Sequence, residues 1–253
     1  MNKYRKYSRY SIENPEVWAI SQGKDAKKEV GILIKLLRKY GRFKVLLDVG
    51  CGVGFHVNEL VKKGFICKGV DADPTKIEYA KKHYPNINFQ ISTMQSLKEK
   101  KRYDAIICIN SILVFNESNE EVMKSLGNFY KALKKGGLLV VEVSNPMNHI
   151  KNCSFKKSFV DIGEDRKKFG VRAVYEEDLD ANKQTGISKR TFYRLSDNKK
   201  VGVFKKETRL FFPQELKFFV EQAGFKCLDF YAGISLKKDL NNSRRMLIVA
   251  RKK

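Results

Sequence analysis

Between Lys44 and Ser144 the chain alternates short apolar runs with amphipathic stretches, and that alternation limits the fold more than any other feature. The apolar runs are KVLLDV, ICKGVD, INFQI, YDAIICIN and LLVVEVS. Apolar residues at helical spacing fill AKKEVGILIKLLRKY (26–40), HVNELVKKG, PTKIEYAKKHY and NEEVMKSLGNFYKALKKGG, the last stopped by two glycines. Strands this continuously apolar have no solvent face to offer. With helices between them, they predict a parallel sheet covered on both sides.

Downstream of Pro146 the rhythm breaks. Residues 150–180 are polar and irregular, and no element is specified there by pattern. ISKRTFYRL-SDN-KKVGVFKKETRLFF then alternates as a β-hairpin or meander about a Ser-Asp-Asn turn. PQELKFFVEQAG returns to a helix, and FKCLDFYAG and SRRMLIVARKK read as two more strands. The expected fold class is α/β: a seven-stranded sheet, mostly parallel with an antiparallel C-terminal strand, plus a β-rich insertion after the fifth strand. Residues 1–253 read as a single domain. Its parts are an N-terminal helical lid (1–43), a ligand-binding core (44–147), a β-rich insertion on the substrate side (148–212), and the last helix and strands of the core (213–253).

Composition narrows the function classes. A chain of 253 residues with 42% hydrophobic content buries a full core. No apolar run approaches the roughly 18–20 residues of a membrane span, and MNKYRKYSRYS has no apolar segment of the kind a signal peptide needs. Cys51, Cys67, Cys108, Cys153 and Cys227 are scattered without a C-x-x-C pair, so neither a disulfide framework nor a metal site is indicated, and the setting reads as reducing and cytoplasmic. The formal charge of +23 invites an anionic partner. Yet doublets such as Lys27-Lys28, Lys62-Lys63 and Lys237-Lys238 recur along the whole chain, and lysine dominates over arginine, as on a solvated surface. Nucleic acid stays open as a partner on charge alone.

The strand KVLLDV runs into Gly50-Cys51-Gly52-Val53-Gly54. A glycine turn between strand and helix lets the backbone approach a ligand and aims the N–H groups of the helix start at it. The dinucleotide fingerprint G-x-G-x-x-G is not met, because Phe55 stands where its third glycine belongs. Asp48, two residues ahead of the turn, would repel a pyrophosphate and suits an ammonium or sulfonium group. Asp71 ends the second strand about twenty residues after the first glycine, where an acid accepts the ribose hydroxyls of an adenosine. An adenosine joined to a cationic amino-acid group is S-adenosylmethionine.

LLDVGCGVGFHVNEL and GVDADPTKIEYAKK resemble the first two motifs of the class I S-adenosylmethionine-dependent methyltransferases. YDAIICINSILVF is similar to the family's fourth-strand segment and ALKKGGLLVVEV to its passage into the fifth strand, in the family's order over residues 44–143. PQELKFFVEQAGFKCLDFY resembles the final helix and strand. The resemblance implies a Rossmann-like sheet and S-adenosylmethionine as cofactor. It implies that the backbone of Gly50, Cys51, Gly52 and Gly54 approaches the methionine part, and that Asp48 lies behind the loop, holding it and facing the amino end. Asp71 would take the ribose, with Ala72 beside the adenine. Thr93 stands where many relatives carry an acid for the adenine amino group, so Thr93 or a main-chain group must accept that bond here. Met94 fits the apolar lid on the adenine, though a methionine is also an ordinary gap-filler. Asn110 falls where relatives touch the methionine portion.

Within the family the chain most resembles the small-molecule branch, the amino-sugar N-methyltransferases and glycine N-methyltransferase-like enzymes, through QGKDAKKEVGILIKLL (22–37), CINSILVF and VVEVSNP. There Lys24 would meet the cofactor carboxylate, and Tyr10 would contact the cofactor from the N-terminal segment. His149, just past the fifth strand, is the candidate catalytic base. The expected reaction is in-line methyl transfer to nitrogen or oxygen of a small molecule, by a monomer or homodimer, with no membrane association. The alternatives are a tRNA or other RNA methyltransferase, suggested by the charge, and a non-catalytic partner or regulator that binds the same cofactor. Against RNA, Asn110-Ser111-Ile112-Leu113 lacks the proline signature of enzymes that methylate exocyclic base amines, and Cys108 lies in a buried strand. Against a non-catalytic role stands an intact glycine loop with both Asp48 and Asp71.

Overall fold

The apolar runs become strands because both of their faces are claimed. The structure, a computed structural model, describes residues 15–151, 157–161 and 170–253. Strands β1 (Val45–Val49), β2 (Ile66–Asp71), β3 (Asn88–Ile91), β4 (Tyr103–Cys108) and β5 (Leu133–Ser144) are parallel, and β10 (Phe225–Tyr231) and β11 (Arg245–Lys252) complete a seven-stranded sheet. Its order is β10-β11-β5-β4-β1-β2-β3, with β11 antiparallel to both neighbours. The expected mostly parallel sheet with one reversed C-terminal strand is what forms.

Alternate side chains of each strand feed two cores, as the two-residue period of a strand requires. Leu47, Val49, Ile106, Cys108 and Val141 join Leu126 and Phe129 of α4 (Asn119–Ala132) and Phe219 of α6 (Pro213–Gln222) on one face. Leu46, Ala105, Ile107 and Val140 meet α1 (Pro15–Tyr40), α2 (Phe55–Lys62) and α3 (Pro74–His83) through Leu33, Leu37, Val57, Leu60 and Ile77 on the other. Cys108 is fully buried core. Among the described residues no helix is long and apolar enough to cross a membrane.

Two boundaries differ from expectation. Helix α1 begins at Pro15, well ahead of Ala26. The KKGG stretch does not extend α4, which ends at Ala132, because Leu133 is fully buried and already pairs with Tyr103. The strand bulges through Lys134–Gly137 before Leu138 regains register opposite Ala105.

Past a short helix α5 (Pro146–Lys151), a second sheet of order β6-β7-β8-β9 forms from β6 (Lys157–Asp161), β7 (Val171–Asp180), β8 (Thr185–Arg194) and β9 (Lys200–Arg209), all antiparallel. The β8–β9 hairpin is the one expected around the Ser-Asp-Asn turn. Strand β7 had no readable pattern because acids occupy both of its faces: Glu177 on the covered side with Ala173 and Tyr175, Glu176 and Asp178 on the exposed side. Strand β9 lies against the 3-10 turn Leu113–Phe115 that follows β4, which brings the second sheet over the carboxyl edge of the first.

Candidate functional site

The strand order reverses at the β1/β4 junction, and in open α/β sheets the crevice outside the carboxyl ends at such a point is where ligands bind. A cleft of about 980 Å³, open mouth included, lies there, lined among others by Gly50, Gly52, Asp71, Ala72, Thr93, Met94, Asn110 and Ile112. Phe115 from the 3-10 turn and Phe204 and Lys206 from β9 also line it. Behind the glycine loop is a smaller compartment lined by Asp48, Cys51, His56 and Ile109, which shares Gly50, Gly52, Asn110 and Ile112 with the cleft.

The loop is shaped by its own glycines and held by the neighbouring strand. Gly50, Gly52 and Gly54 have φ of 78°, 54° and 86°, in the left-handed region that side chains disfavour. A Cβ on Gly50 would land inside the Ile112 side chain, and one on Gly54 would meet Phe89 at 2.7 Å. The N–H groups of Gly50 and Cys51 donate to Val70 O at 2.8 and 3.0 Å. Gly52 N–H donates to Asp71 Oδ2 at 2.8 Å, and Asp73 N–H to Asp71 Oδ1 at 2.9 Å. The anchors of the loop are thus Val70 and Asp71. Burial pushes the Asp71 carboxyl upward, while Lys76 and these two N–H donors oppose it.

Asp48 does something else. It is 1% exposed, and its Oδ2 is buried without a hydrogen-bond partner. Burial pushes its carboxyl up to about 6, with the charge of His56 holding it down and that of Asp71 adding to the rise. A buried carboxylate oxygen left unpaired is costly unless a ligand completes it. The donor it lacks is one that an ammonium group would supply, so these residues fit S-adenosylmethionine.

The loop after β3 is pinned from below. Asn128 Nδ2 donates to the carbonyls of Met94 and Gln95, both at 3.0 Å, and Gln95 Nε2 donates to Asn116 Oδ1 at 2.7 Å. Met94 is buried against the core while lining the cleft. The Thr93 hydroxyl donates to Ser96 Oγ at 2.9 Å and accepts from Ser96 N–H at 3.1 Å, leaving it one lone pair.

At the end of β4, Asn110 and Ser111 both have φ of 59°. Asn110 N–H donates to Glu142 Oε2 at 3.0 Å, and Arg245 Nη1 reaches Asn110 Oδ1 at 3.0 Å and Glu142 Oε2 at 2.9 Å. This fixed left-handed turn positions Asn110 between the two compartments.

The sequence-expected residues Asp48, Gly50, Cys51, Gly52, Asp71, Ala72, Thr93, Met94 and Asn110 therefore gather at one crevice, with Gly54 closing the loop as the cap residue of α2. Lys24 lies in α1 and His149 in α5, but their side chains lie outside the described residues, as does Tyr10 altogether. Sequence reasoning missed Glu29, His56, Glu142, Arg245, Phe204 and Lys206. The Glu that interrupts LLVVEVS was a readable sign, since an acid in a fully buried strand needs a partner.

Residues 46–137 match the methyltransferase-domain family. A ubiquinone biosynthesis O-methyltransferase of Rickettsia canadensis (strain McKiel) is 35% identical over 106 residues, 40% of this chain and 43% of the relative. A dTDP-3-amino-3,4,6-trideoxy-alpha-D-glucopyranose N,N-dimethyltransferase of Streptomyces venezuelae is 24% identical over 137 residues, 53% of this chain and 58% of the relative. The chain thus spans about half the length of these curated relatives. An amino pentose methyltransferase from Micromonospora echinaspora, solved with S-adenosylmethionine bound, shares the fold over 93% of this chain and 96% of its own, with a TM-score of 0.74 at 18% identity. The glycine loop, its two acids and the switch-point crevice lie inside the matched region or at its edge, so the part of the chain that is similar to the methyltransferase-domain family is the part that builds this site.

Proposed function

We propose that the protein transfers the methyl group of S-adenosylmethionine to nitrogen or oxygen of a small polar molecule. The observation that carries this reading is the unpaired, buried Asp48 Oδ2 behind a glycine loop whose other wall is Asp71. In the bound state Asp48 accepts from the cofactor's amino group and Asp71 from its ribose, with Ala72, Thr93 and Met94 around the adenine and Asn110 along the methionine part. Lys24, Tyr10 and His149 belong to the proposal as carboxylate partner, cofactor contact and catalytic base.

The cofactor supplies a methyl carried on sulfonium, a leaving group good enough that the protein's work is alignment more than acid–base chemistry. The acceptor then sits under β9, where Lys206 Nζ lies 4.8 Å from the centroid of Phe115 and Phe204 lines the same mouth. An aromatic bench with a cation over it suits a compact, polar acceptor. The methyltransferases described above are named for ubiquinone biosynthesis and for amino sugars, which supports the small-molecule reading.

Methyl transfer from labelled S-adenosylmethionine to a cell extract, split into RNA, protein and small-molecule fractions, tests it. Label is expected in the small-molecule fraction; label in RNA alone would overturn the acceptor class.

A further inference from the structure

His56 occupies a position where a cation is disfavoured. It lies in the first turn of α2, at the positive end of the helix dipole, and that turn contains no acid of its own. The side chain is nonetheless buried, with its Nε2 2.7 Å from Glu29 Oε2 of α1. The charged groups facing it come from three elements: Glu29 from α1, Asp48 from β1 and Glu142 from β5, with Arg245 of β11 acting on Glu29. His56 also lines the same small compartment as Asp48.

We propose that His56, clamped by Glu29 behind the glycine loop, is a positioning residue that holds Asp48 ionised and so selects a ligand with a cationic amino-acid end. The inference rests on the cofactor reading above and deepens it. Burial by itself would strip the imidazole of its proton, but the Glu29 bond and the surrounding carboxylates outweigh it, so His56 titrates above its ordinary value. The bond to His56 in turn holds Glu29 below its ordinary value, so both partners point to an ion pair. Asp48 feels that positive charge directly, and it is what opposes the upward push of burial and of Asp71. Removing the imidazolium lets Asp48 keep its proton to higher pH. A neutral carboxyl gives an ammonium group much less to bind.

The test compares two probes, S-adenosylmethionine and adenosine, which lacks the cationic end. Their affinities are measured by calorimetry between about pH 5.5 and 8.5 for the wild type, His56→Gln and Glu29→Gln. Wild-type affinity for S-adenosylmethionine is expected to fall as the pH drops through about 6, where Asp48 takes up its proton. In H56Q that acid limb moves up by about one pH unit. Near pH 5.5 S-adenosylmethionine then binds H56Q roughly eightfold more weakly than the wild type, and near pH 7 only about twofold more weakly, while adenosine changes less than about twofold at either pH. E29Q moves the limb the same way by less. Equal weakening of both probes would reduce His56 to a packing role and overturn the inference, as would a limb that stays at its wild-type position. If H56Q fails to fold, E29Q, which leaves the ring in place, decides: an unmoved limb there overturns the inference. Wild-type protein that binds neither probe overturns the cofactor reading and this inference together, whereas binding with an unmoved limb overturns this inference alone.

Discussion

Gly50 is held by two constraints of different origin. Its φ of 78° is steric, and the Ile112 side chain fills the space any Cβ would need. Gly50→Ala is therefore expected to cost about 1–3 kcal/mol and to lower cofactor affinity more than tenfold. Adding Ile112→Ala relieves the overlap but not the backbone strain, so calorimetry on the double variant should show partial recovery. Asp71→Ala removes the acceptor of the Gly52 and Asp73 N–H groups along with the proposed ribose ligand, and a loss of at least tenfold in affinity is expected. Unchanged binding would misplace the ribose. Asp48 presents the opposite balance. Because its folded pKa, about 6, lies above its unfolded value, its contribution to stability is present below about pH 4 and is lost as the pH rises through about 6. At neutral pH the ionised carboxylate costs the ligand-free protein on the order of 1–3 kcal/mol. Asp48→Asn should raise the melting temperature at pH 7 and weaken cofactor binding in the same sample, which paired thermal melts and titrations can check.

Elements are joined at the cleft by a few buried polar side chains. Asn116, fully buried, accepts from Gln95 and from Ser125 Oγ of α4 at 2.8 Å and donates to Leu113 O at 2.8 Å. It thus ties the loop after β3, the 3-10 turn and α4 together. Asn116→Ala strands those partners, and a loss of about 1–3 kcal/mol in urea unfolding is expected, with weaker binding of the adenosine end. This junction marks the limit of what the sequence conveys. Strands β1, β4 and the LLVVEVS part of β5 were readable because a strand buried on both faces must be largely apolar, and α3 because Pro74 and Asp73 write its N-terminus, the Asp73 carboxylate accepting from Thr75 N–H. The glycine loop and Asp71 were readable because their spacing is local. Glu29 and His56 stand 27 residues apart, and Glu142 and Arg245 stand 103 apart. No periodicity links such pairs; only the packing of helices and strands in the fold does. Strand β7 was hidden for a different reason, acids on both faces erasing the alternation that signals a half-buried strand.

At the scale of the whole molecule, the charge of +23 is not neutralised by pairing. Ion pairs such as Lys62–Glu59 and Lys189–Glu176 are exposed on at least one side and contribute little. Self-repulsion of the lysine surface should then dominate the response to salt, so raising NaCl from about 0.05 to 0.5 M is expected to raise the melting temperature. A molecule held together by surface pairs would respond the other way. Saturating cofactor, at about 100 times its Kd, should add roughly 2.7 kcal/mol, visible as a rise of several degrees in the same melt.

Strand β11 slots between β5 and β10 in the order of space but comes last among the described strands in the order of the chain. Its first residue, Arg245, is the counter-ion of buried Glu142 and a tether of Asn110. On the ribosome the glycine loop is made early, yet the turn that separates its two compartments waits for residue 245. A nascent chain short of that point has an open edge on β5 and an uncompensated acid beside the cofactor crevice. Cofactor binding should accordingly switch on late in synthesis and in one step, so that partly made chains compete for none of the cell's methyl donor.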